Sequence, residues 1–186
     1  MQKAFFHLTN IGCKLSSILL VLLVILALTA PPVALQSAEP AAKTAVVHFS
    51  KLTPFLVDVA GWTAEKAAGQ TLDAAGFKMT NVERTYAKGE QSVQVRILDY
   101  SESGPLLQGL TAAWAFSSET TEGYQKGVTV DGMKGMEQFT NDGKSGHLFL
   151  LVAGRYMVEV ETTGLPAADM QVWVKKFDLK KLAELK

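Results

Sequence analysis

The stretch GFKMTNVERTYAKGEQSVQVRILDY, residues 76–100, decides the fold. Val93, Val95 and Ile97 alternate with Gln94, Arg96 and Leu98, and upstream Val82, Arg84 and Tyr86 alternate with Glu83 and Thr85. A period of two belongs to a strand, whose successive side chains point to opposite faces. The polar AKGEQ between the two runs, centred on Gly89, is turn chemistry. The pair therefore predicts a β-hairpin.

Working toward the C-terminus, Leu107, Leu110 and Trp114 follow Gly104-Pro105 at helical spacing and predict an amphipathic helix. SSETTEG, residues 117–123, then reads as a polar loop. YQKGVTVDGMKGMEQFTN, residues 124–141, predicts two short strands broken at Asp131-Gly132, and DGKSG, residues 142–146, predicts a hairpin turn. HLFLLVAG, residues 147–154, is apolar from Leu148 to Ala153, which predicts a central strand covered on both faces. Ala153-Gly154 then turns the chain. In RYMVEVE, Tyr156, Val158 and Val160 alternate with Met157, Glu159 and Glu161, a strand with one wet face. The end is helical, with Pro166 at its start and Met170, Trp173, Val174 and Phe177 on one stripe. Asp178 is placed to cap a last turn carrying Leu179, Leu182 and Leu185.

On the other side of the hairpin, VVHFSKLTPFLVDVAGW, residues 46–62, places Leu52, Phe55, Leu56 and Val59 on a helical stripe. A short helix with Pro54 in its first turn and Gly61 at its end is expected. Strands arrive in hairpins and do not alternate with helices. The fold class expected is α+β, an antiparallel β-sheet with helices packed on it.

Residues 1–38 read as a signal peptide or an N-terminal membrane anchor. Lys3 and Lys14 precede a run from Leu15 to Ala30 that contains no charge, and Pro31-Pro32 stops it. Cleavage after Ala38 fits, although Gln36 makes the A-x-A pattern imperfect. Extended to Leu35, the uncharged run is 21 residues long, enough to span a bilayer if retained. Either form exports the domain, because the positive charges precede the apolar run. Residues 39–47 form an Ala/Pro-rich linker and 48–186 one α+β domain. The expected location is the periplasm, free or attached to the inner membrane.

The chain's 18 basic and 18 acidic side chains cancel. Without Lys3 and Lys14 the balance is slightly acidic, which disfavours nucleic acid and a polybasic membrane-surface module. Contact with the membrane is expected only through the N-terminal segment, if retained. The single cysteine, Cys13, lies in the leader. The mature domain therefore has neither a disulfide nor a cysteine nucleophile.

No catalytic, cofactor-binding or metal-binding residue is assigned. Gly143 to Gly146 reads GKSG, but a phosphate loop needs a glycine where Gln138 stands, and a helix after it. His48 and His147 form no close ligand pair. Met79, Met133, Met136, Met157 and Met170 read as packing residues. Glu159 and Glu161 share a strand face, where they meet water or pair with Arg84, Arg96 or Arg155. Trp62, after Gly61, is placed to line a sheet-edge groove with Arg84 and Tyr86. The 117–127 loop is the second candidate surface.

Order and punctuation resemble a PsbP-like α/β/α sandwich. The residues carrying the likeness are Gly61-Trp62, the hairpin around AKGEQSVQVRILDY, and LLVAGRYMVEVE before a closing helix. GFKMTNVERTY is also similar to a group of small exported bacterial proteins of unassigned function. The resemblance implies an accessory or binding role and transfers no functional residue. The expected function is a non-enzymatic accessory or binding domain of the bacterial envelope, with an envelope protein or a small ligand as partner. The alternatives are a small hydrolase-like envelope enzyme and a purely structural membrane-tethered domain.

Overall fold

A computed structural model describes residues 45–74, 77–101 and 104–186. Residues 1–38, expected to be a signal or anchor, and most of the expected linker 39–47 lie outside these residues. Among the described residues, no helix is long and apolar enough to cross a membrane.

The strands are β1 (Thr63–Ala64), β2 (Ala68–Ala74), β3 (Phe77–Lys88), β4 (Gln91–Asp99), β5 (Ser118–Thr120), β6 (Gly123–Val130), β7 (Met133–Thr140), β8 (Ser145–Val152) and β9 (Tyr156–Thr163). They form an antiparallel sheet in the order β1-β3-β4-β9-β8-β7-β6-β5, with β2 also pairing β3. The helices are α1 (Phe49–Leu52), α2 (Gly104–Ala112), α3 (Ala168–Val174) and α4 (Leu179–Glu184). Tight 3-10 turns over Thr53–Phe55 and Ala113–Ala115 extend α1 and α2. The coarse class is thus α+β.

The hairpin at 76–100 is β3–β4. Val82 faces Ile97, Arg84 faces Val95 and Tyr86 faces Val93, and the connection is Gly89-Glu90. The Asp131-Gly132 break is the two-residue turn between β6 and β7, with both residues at positive φ. That conformation matches the right-handed twist of the strands it joins, and Asp-Gly tolerates it well. Alternation fixes one buried face. Val95, Ile97, Leu148, Leu150, Val158 and Val160 are all at most 1 % exposed. Leu52, Leu56, Met170, Trp173, Val174 and Leu182, from α1, its turn and the C-terminal helices, complete the same core.

The second face is only partly covered. Along β8, Leu148, Leu150 and Val152 are buried while Phe149 and Leu151 are half-buried, so the expected double cover is incomplete. Among the described residues, the cover of this face comes from α2 and the turn that extends it. Its 3-10 extension runs so close to β6 that a Cβ on Gly127 would collide with the Trp114 carbonyl. On β9, Glu159 and Glu161 lie half-buried on this face as expected, but Met157 is buried.

Other expectations are corrected. The first helix, with its 3-10 extension, ends at Phe55 and not at Gly61. Pro54 has no amide to donate, and the carbonyls of Leu56 and Val57 are captured by β3. The polar 117–123 segment is not a loop: Ser118–Thr120 forms the edge strand β5. AGQTLDA forms β2, a strand without apolar alternation, exposed from Ala68 to Asp73. The closing helix is two, α3 and α4, separated at Asp178. Its carboxylate accepts from the Lys181 amide at 2.9 Å, the expected cap.

Candidate functional site

A cleft of about 640 Å³ opens between the 53–57 turn and α4. Pro54, Phe55, Val57 and Leu185 give it an apolar lining, and Lys51, Asp178, Lys181 and Glu184 stand around it. Its size lies within the about 300–1,000 Å³ range of small-ligand sites.

The walls are built from the sheet. Where the 3-10 turn ends, Arg84 Nη1 donates to the Leu56 carbonyl at 2.7 Å and the Tyr86 hydroxyl donates to the Val57 carbonyl at 2.9 Å. Arg84 also donates through Nε to the Glu65 carbonyl at 2.8 Å, and its Nη2 pairs with Asp58 at 2.6 Å. One guanidinium thus anchors both sides of the loop that carries Trp62. On the opposite wall, the Tyr156 hydroxyl donates to the Leu185 carbonyl at 2.9 Å, just past the end of α4. Burial raises the pKa of both tyrosines, and the neighbouring arginines offset only part of the rise. Both phenols therefore stay protonated near neutral pH and keep donating.

The three residues expected at a groove are brought together, but behind this cleft. Tyr86 is fully buried and offers no surface to a ligand, which corrects its placement in a groove lining. Arg84 lies under the 56–58 loop. Trp62 is half-buried, its ring edge-on to Trp173 with centroids 4.8 Å apart, and Tyr86 lies 5.1 Å from the same Trp173 ring. The residues that line the cleft had one sequence signal. Val57 is apolar yet falls off the Leu52/Phe55/Leu56/Val59 stripe, and it is 44 % exposed.

The second candidate, 117–127, holds the β5–β6 hairpin. There the Tyr124 phenol donates to the buried Glu137 carboxylate, which also accepts from Gln171 at 2.8 Å and lies 3.5 Å from Lys126. Burial, with Glu137 adding to it, raises the Tyr124 pKa. These groups satisfy one another and tie β7 to α3.

On the open face, Arg96 is a hub. It contacts Glu83 at 3.1 Å, Glu159 at 3.3 Å and Glu161 at 4.0 Å, and Glu161 lies 3.3 Å from His147. Of the three arginines expected as partners, Arg96 takes both β9 carboxylates. Arg155 is committed to Asp99, through Nε at 2.9 Å and Nη2 at 2.7 Å. His48 caps α1 through Ser50, far from His147 in the sequence and serving a different element. Lys144 ends a 3-10 turn between two strands, so GKSG does not lead into a helix. Among the described residues, no group of three or more His, Cys, Asp or Glu is placed to hold a metal ion.

No protein-family model, curated protein or solved structure matches the chain.

Proposed function

We propose that the chain is an exported, non-enzymatic accessory domain of the bacterial envelope that binds a partner protein or small ligand in the cleft between the 53–57 turn and α4. The observation that carries this reading is the pinning of the two walls by Tyr86 and Tyr156. A cleft held open by partly buried hydrogen bonds is preorganised, which lowers the ordering cost of binding. Asp178 is spent on capping α4, which leaves Lys51, Lys181 and Glu184 at the rim to orient an occupant.

The PsbP-like α/β/α part of the reading rests on helices over both sheet faces. α3 and α4 lie over one face, and the α2 extension approaches the other at Gly127. Export rests on the charge-free run from Leu15 to Ala30.

The test places a photo-crosslinking amino acid at Val57 in the cleft and, as a control, at exposed Lys144. Discrete adducts at the Val57 position in living cells, absent at Lys144, are the expected result. Equal labelling at both, or none at either, defeats the reading. The intact mass of the membrane and soluble envelope species tests export separately. A species starting near Glu39 is a cleaved secreted form, one retaining Met1 in the membrane is an anchored form, and an intact cytoplasmic species defeats export.

A further inference from the structure

A second cleft, of about 530 Å³, lies between the 3-10 extension of α2 and the strands β6, β7 and β8. Trp114 and Ala115 form one side, and Leu151 lies across from them. Gly127 and Gly135 leave bare backbone here, and each is needed. A Cβ on Gly127 would strike the Trp114 carbonyl, and one on Gly135 the Phe149 carbonyl. At Gly127 the close approach of the α2 extension to β6 is therefore built in, whereas Gly135 lets β7 pass close to the neighbouring strand β8.

The electrostatics are one-sided. Lys134 is the single charged residue in the lining, and it makes no ion pair with another described residue. It stands directly opposite Thr129 in the β6–β7 register. Side chains so paired share one sheet face with Cβ atoms about 5 Å apart. An ammonium and a hydroxyl at that spacing can hold one carboxylate between them, the ammonium through a charge-assisted hydrogen bond. Phe116 and Leu110, on the same segment as Trp114, are 72 % and 45 % exposed. That segment thus carries exposed apolar surface beyond the residues that line the cleft.

We infer that this cleft binds a small amphiphilic monocarboxylate, its chain against Trp114 and Leu151 and its carboxylate between Lys134 and Thr129. Charge complementarity selects the anion. An uncharged lining elsewhere gives a second charge no partner, which disfavours dianions and zwitterions. The site is separate from the cleft at Val57, so either can fail alone.

The test uses the full chain as recovered from cells, labelled with nitrogen-15 and titrated with octanoate below its micelle concentration. Saturable amide shifts at Gly127, Thr129, Gly135 and Leu151 are expected, with octanol binding at least tenfold more weakly. Lys134→Gln removes the preference for octanoate, while Lys144→Gln, a charge control elsewhere on the surface, keeps it. The inference is overturned by shifts confined to the Val57–Leu185 cleft, by no saturable shift, by equal binding of octanol, or by a Lys134→Gln variant that still prefers the anion. Lys134 is exposed, so the spectrum of that variant is expected to show an intact fold.

Discussion

Tyr86 and Tyr156 project from the same sheet face and each ties one wall of the same cleft. Tyr86 faces Val93 and Tyr156 faces Asp99 on β4, so they sit about 20 Å apart along the sheet at the usual strand rise. Tyr86 holds Val57 and Tyr156 holds Leu185. Removing either hydroxyl with Tyr→Phe is expected to cost about 1 kcal/mol. At that separation the double variant should be additive within about 0.5 kcal/mol. Urea midpoints of the four proteins check this, and strong coupling would show that the walls move as one.

Trp62 packs edge-on against Trp173 and is only partly exposed to water. Trp62→Ala is therefore expected to destabilise the fold by about 2–3 kcal/mol, the low end for a deleted aromatic because the site is partly open. Had Trp62 been a free binding platform, its removal would leave the melting temperature nearly unchanged. A thermal melt separates the two.

Asp99 is fully buried, where desolvation alone would raise its pKa. Arg155 and the amides of Val47 and Ser101 outweigh that and hold the carboxyl below its ordinary value. Its folded pKa is thus depressed, so it contributes stability above the unfolded pKa of about 4 and loses it as pH falls through the folded value. Asp99→Asn is expected to cost about 3–5 kcal/mol at neutral pH, because Arg155 keeps only a neutral partner. Its stability should also fall less steeply than the wild type's below about pH 4. Parallel chemical denaturation between neutral and acid pH measures both.

Gly135→Ala is expected to destabilise by about 1–3 kcal/mol, since the added methyl meets the Phe149 carbonyl, which is backbone and cannot rotate away. A matched Gly109→Ala change, on α2 with open space around it, should be neutral or stabilising. Calorimetry on the pair distinguishes local crowding from a general intolerance of glycine replacement.

Period-two alternation in 82–98 and 156–161 announced β3, β4 and β9, and Asp131-Gly132 announced the β6–β7 turn. Each of these signals is local, the alternation reflecting a buried face and Asp-Gly a turn at positive φ. β2 and β5 gave none, because AGQTLDA and SET hold their place through a neighbouring strand's backbone and bury little. The early helix was overread for a related reason. Its carbonyls are drawn off by Arg84 and Tyr86, residues 28 and 29 positions away, and no local window contains that competition. The same distance hid the cleft. Trp62, Arg84 and Tyr86 did converge, but on the loop they hold, and none of them lines the cleft at Val57.

The position of β9 between β4 and β8 has a consequence for how the chain comes into being. The β3–β4 hairpin has no lasting inner neighbour until β9 ends at Thr163, and α3 and α4 follow later still. Nearly the whole polypeptide must therefore be available before the two halves of the sheet, β1–β4 and β5–β8, can join. Non-local pairing of this kind is slow. A newborn chain that cannot finish folding early stays pliable, and a pliable chain can be threaded end-first through a narrow channel before its architecture sets.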